Sequence, residues 1–175
     1  MATSETMLEA DGVRVVFFHD GDRYAHRLEV RDVATSGWVT AFTSLEGRAD
    51  DAWPPSPPFQ QLHVEQRPTG PIVFLIGMAG RSHWSAAVEA AADRRSIRFD
   101  VAVRFQACPE QLGSAYSYVE SLCGRRPRLV AEGTTIVEVV NEFSDAPLVR
   151  PSGEFPPPPA TLGWKYAVFD GIDRP

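Results

Sequence analysis

The sequence predicts an all-β chain, an antiparallel sandwich of two sheets with about ten to eleven short strands and little or no helix. A two-residue alternation of apolar and polar positions runs through residues 71–105. Similar short runs, rich in β-branched and aromatic residues, recur along the rest of the chain between Gly, Pro and charged breaks. Even spacing of such runs fits a sandwich, with a closed barrel as the alternative. The chain has 175 residues, 43% of them hydrophobic, enough for one domain over 1–175 to bury about 70% of its extended-chain surface.

Residues 1–10 are expected to be a flexible N-terminus. A first hairpin follows, with strands at 13–19 and 24–32 around Asp20-Gly21-Asp22-Arg23. Taking Gly21-Asp22 as a two-residue loop puts Gly first, as a type II′ turn requires. Val13 then faces Val30, Val15 faces Leu28, Phe17 faces His26, and Arg14 meets Glu29 on the other side. The competing Asp20-Gly21 turn would set Arg14 against Arg27, so charge and burial both select the first register.

Further strands are expected at 38–45 and 59–66, separated by a proline-rich surface loop over 50–58. The stretch 71–105 then reads as three strands. Pairing Val88 with Phe99 sets Ala86 against Val101 and Trp84 against Val103 on a wholly apolar face, with Glu89 against Arg98 as an ion pair on the opposite one. A turn of three or five residues before the second strand places Ile72, Phe74 and Ile76 on the side of Trp84. Residues 109–119 carry the one helical spacing, Leu112, Ala115, Tyr116 and Val119, which Gly113 weakens to a turn of helix before a strand at 115–121. The remaining strands are expected at 127–132, 135–142 and 164–170, with a second proline-rich surface loop at 147–163.

A formal charge of −6 argues against nucleic acid as a partner. The sequence has neither a signal-peptide pattern nor an apolar run long enough to span a bilayer, so no membrane association is expected and the cytoplasm is the expected location. Of the 17 basic residues only Lys165 is a lysine, which suggests a GC-rich bacterial source. Cys108 and Cys123 lack metal-site spacing and are expected to be buried free thiols. No cofactor, metal or catalytic residue is predicted. His83, Ser85 and Asp100 share a face, but the serine lies between the other two, where a triad needs the histidine. The dense cluster Arg125-Arg126-Pro127-Arg128 reads as a solvated turn.

The candidate ligand-binding residues fall in two groups. His19, Tyr24 and His26 lie on the core-facing side near the end of the first hairpin, with His19 opposite Tyr24 and diagonal to His26. Asp50, Asp51 and Trp53 join two carboxylates to a ring suited to stacking on a sugar. The function expected is a non-enzymatic binding or interaction module for a small molecule, glycan or protein. One alternative is an enzyme with its site at a barrel mouth near His19 and His26. Another is a structural protein that oligomerises through edge strands.

Overall fold

Alternating burial along nearly every strand divides the structure into two faces, one turned to a shared core. The computed structural model describes residues 5–119, 126–139 and 146–172. Among them are thirteen strands and no helix. The first sheet contains β1 (Thr6–Ala10), β2 (Val13–Asp20), β3 (Arg23–Arg31), β4 (Trp38–Ser44), β9 (Ser114–Tyr118), β12 (Pro147–Pro151) and β11 (Thr135–Val139), in the order β1-β2-β3-β4-β9-β12-β11. The second runs β10-β13-β8-β7-β6-β5, formed by β10 (Arg128–Glu132), β13 (Ala160–Phe169), β8 (Ser96–Phe105), β7 (Ser82–Ala90), β6 (Gly70–Ala79) and β5 (Phe59–Arg67). All pairings are antiparallel and the sheets do not join into a ring, so the barrel alternative is excluded.

The first hairpin folds as its sequence dictates. Gly21 adopts φ +64° at the first turn position, and β2 pairs with β3 in the register that sets Val13 against Val30 and Phe17 against His26. Arg14 and Glu29 form the expected ion pair. The β7–β8 register also follows the sequence, from Trp84 against Val103 to Glu89 against Arg98. Arg98, however, turns away from Glu89 and bonds Glu132 on β10 at 3.0 Å.

Several expectations are corrected. The β6–β7 turn is the two-residue loop Gly80-Arg81, with Gly80 at φ +54° and Ala79 paired to Ser82. An even loop reverses the face of β6. Val73 and Leu75 therefore join Trp84 in the core, while Ile76 is 51% exposed. Residues 6–10, expected to be flexible, form β1 because Leu8 and Ala10 find apolar cover against the core. The stretch 147–163 contains β12 and the start of β13; Pro147 and Pro151 stand at the two ends of β12, where a missing amide disturbs the ladder least. Residues 109–113 form no helical turn. Cys108 is exposed on the loop after β8, contrary to the buried thiol expected, and Cys123 and Arg125 lie outside the described residues.

The core between the sheets is dominated by Phe17, Phe99, Phe105, Tyr116, Trp164 and Tyr166. Phe99 stacks on Tyr166 at 4.7 Å between ring centroids, and Trp53 closes against Trp84 edge-on at 6.0 Å.

Candidate functional site

Strand β9 organises the polar centre of the core and a groove beside it. On one edge of β9, Ala115 accepts a hydrogen bond from the Leu45 amide and donates to the Pro55 carbonyl, and the Ser56 hydroxyl reaches both its backbone groups. The backbone of Tyr116 therefore faces β12. The ladder there includes Val149–Ser114 and Leu148–Ala115, and the next residue on β12 is Pro147, which has no amide to donate. Gly113 brings the incoming chain against β12: a Cβ at that position would lie 2.7 Å from the Val149 carbonyl oxygen.

A groove of about 750 Å³ opens at this discontinuity. Its apolar lining includes Leu45, Pro55, Leu112, Ala115, Pro147, Leu148 and Phe155; Tyr116, Glu110, Gln111, Arg150 and Glu154 supply polar groups. Arg150 is already engaged, with Nε and Nη2 bonding the Glu138 carboxylate at 2.8 and 2.7 Å and Nη1 bonding the Pro151 carbonyl at 3.4 Å. Gln111 donates to the Trp53 carbonyl at 2.7 Å and so ties the groove to the proline loop.

Behind the groove, Tyr116 belongs to a buried chain of hydrogen bonds. The Trp164 indole donates to the Ser114 hydroxyl at 3.0 Å, Ser114 reaches the Tyr166 phenol, the two tyrosine hydroxyls are 2.6 Å apart, and Tyr116 lies 2.9 Å from His26 Nε2. Running the donors in that order gives every hydroxyl one proton to donate and leaves His26 as a neutral acceptor. Burial favours that neutral state, lowering the His26 pKa from 6.5 to about 3 and raising both tyrosine pKa values.

The His26 backbone amide bonds the Ser44 hydroxyl, which donates to Glu46 Oε1. Glu46 Oε2 is buried with no hydrogen-bond partner among the described residues. Burial raises the Glu46 pKa from 4.5 to about 7, while Ser44 and Arg23 act in the opposite direction. Arg23, itself buried, pairs with Asp22 and bonds the Glu46 carbonyl at 3.0 Å, anchoring this loop to the first hairpin.

The residues proposed from sequence are dispersed around this centre. His19 keeps the expected side of β2, shared with Val15 and Phe17, and sets its ring edge-on to Tyr24 at 5.1 Å, but one residue pair from the turn it lies past the end of the core and is exposed. Tyr24 packs partly against the core, whereas His26 is inside it among Phe17, Phe99 and Tyr116. Asp50 is exposed beside Arg48, Asp51 accepts from the Arg48 amide at 2.7 Å, and Trp53 is occupied by Trp84. None of these six residues lines the groove, although His26 and Trp53 bond residues that do.

Leu45, Pro55, Leu112 and Phe155 escape sequence reasoning because they sit at strand ends or in loops, where alternation assigns no face. The available signal was an apolar side chain inside a proline-rich loop, as in Phe155-Pro156. His83 and Ser85 line a second, smaller concavity of about 450 Å³ on the outer face of the second sheet, while Asp100 is held by Lys165 at 2.6 Å. Among the described residues no three His, Cys, Asp or Glu side chains are grouped to hold a metal, and no helix is long and apolar enough to cross a membrane. Comparison with protein-family models, curated proteins and solved structures gave no match.

Proposed function

We propose that the chain is a non-enzymatic binding module that takes a small molecule with an apolar body into the groove beside β9. The observation that carries this reading is the pairing of volume with lining. About 750 Å³ falls within the roughly 300–1,000 Å³ of small-molecule sites, and apolar side chains outnumber the polar ones that would orient a ligand. The floor is preorganised. Ala115 and Leu148 are paired strand residues, and Leu112 is packed into the core. A ligand there buries apolar surface without first ordering the strands.

The neutral dye N-phenyl-1-naphthylamine tests the reading by fluorescence titration of the full chain. Saturable one-to-one binding is expected. Ala115→Trp fills the floor and should weaken binding by about tenfold or more, the equivalent of roughly 1.4 kcal/mol, with the urea midpoint of unfolding retained. Equal binding by the native chain and a folded Ala115→Trp variant would place the dye elsewhere.

A further inference from the structure

From the charges around the groove, and resting on the groove as the binding site, we infer that its ligand is an amphiphilic cation, a protonated amine carried on an apolar body. Among the described residues the lining contains three charged ones, Glu110, Glu154 and Arg150. Arg150 is neutralised by the two bonds it makes to Glu138, and its remaining terminal nitrogen bonds the Pro151 carbonyl. Glu110 and Glu154 are exposed and have no ion pair among the described residues. Two carboxylates without an ion partner among the described residues thus stand beside an apolar cavity whose described cation, Arg150, is spent.

That arrangement selects by charge. An anionic head would meet repulsion from Glu110 and Glu154 and would have to displace Glu138 to use Arg150. A neutral ligand would gain the apolar contacts alone. A cationic head gains these contacts and the attraction of both carboxylates, while its apolar body covers Leu45, Ala115, Leu148 and Phe155. The overall charge of −6 acts in the same direction at longer range.

Three probes with one phenylbutyl body separate the terms: 4-phenylbutylamine, 4-phenylbutan-1-ol and 4-phenylbutyrate, each competing with the neutral dye on the full chain. The amine is expected to displace dye at a concentration on the order of fivefold below the alcohol, with the carboxylate weakest. Raising salt should shrink this advantage. In Glu110→Gln/Glu154→Gln the amine should fall to the level of the alcohol measured on the same variant. Equal competition by amine and alcohol in the native chain, or a preference that survives the double substitution, overturns the charge assignment while leaving the groove reading intact. Failure of the dye to bind, or its equal binding to Ala115→Trp, removes the groove reading and this inference together.

Discussion

Replacing Gly77 with alanine is expected to destabilise the fold by about 3 kcal/mol or more, at the upper end of the range for an overpacked core position. Gly77 lies on β6 opposite Trp84, where β5 approaches through a bulge between Phe59 and Gln61. A Cβ there would fall 1.8 Å from the Pro58 carbonyl oxygen, which is backbone and has no rotamer to change. The Gln60 side chain holds this approach in place: its amide donates to the Met78 carbonyl at 2.9 Å and accepts from the Met78 amide at 2.7 Å, replacing ladder bonds lost at the bulge. Gly133→Ala is the control. That glycine has φ +61° but nothing within 4 Å of its added Cβ, so only the left-handed backbone term of about 1 kcal/mol applies. Urea unfolding of both variants measures the contrast, and equal losses would contradict the close packing of β5 on β6.

Glu46→Gln is expected to gain stability relative to the native chain as pH rises, by up to about 3 kcal/mol between pH 4.5 and 7. The Glu46 carboxyl is held protonated by burial, with its pKa raised from 4.5 to about 7, so the folded state binds more protons than the unfolded state in that window. Its contribution is complete below 4.5 and is lost as pH climbs through 7. Arg23 and Ser44 favour the ionised form, Asp20 and Asp22 oppose it, and burial is the largest effect.

His26 has the opposite sign. With its pKa lowered from 6.5 to about 3, its contribution is complete above 6.5 and is lost as pH falls toward 3. Between 4.5 and 6.5 the two slopes, each approaching about 1.4 kcal/mol per pH unit, oppose one another in the native chain. The Glu46→Gln substitution leaves the His26 slope unopposed, so the variant should lose stability more steeply on acidification through this window. Denaturant unfolding of both chains at several pH values reads the difference between them, which isolates Glu46 from every other titrating group. A difference that stays constant from pH 4.5 to 7 would mean that Glu46 is solvated like an ordinary surface carboxylate.

The parts of the fold legible in the sequence are those fixed by neighbouring residues. Gly21 determines the first turn, and with it the pairing of Arg14 with Glu29. Val88 against Phe99 is recoverable because a one-residue slip would expose a whole apolar face. The same sensitivity defeats the reading of β6: Ala79-Gly80-Arg81 looks like a three-residue loop, yet Ala79 pairs with Ser82, and that one position moves Val73 and Leu75 inward in place of Phe74 and Ile76. Strand β12 is hidden by its terminal prolines, which penalise a strand only where an amide is needed.

The candidate site is less legible because its contacts join distant segments. His26 and Tyr116 are 90 residues apart, so no spacing pattern announces their hydrogen bond. Glu46 looks like an ordinary loop glutamate until β3 and β4 bring the His26 amide, the Ser44 hydroxyl and Arg23 around it. The groove depends on where a ladder stops at Pro147, a property of pairing that exists only once β9 and β12 have met.

Binding is proposed beside β9, and not at the first hairpin or the Asp50–Trp53 loop. A titration of ¹⁵N-labelled full chain with N-phenyl-1-naphthylamine, followed by amide chemical shifts, tests it most directly. The expected result is that the largest shifts fall on Leu45, Ala115, Leu148 and Phe155, lining residues drawn from four separate segments. Shifts concentrated on His19, Tyr24 and residues 50–53, with those four amides unmoved, would contradict it.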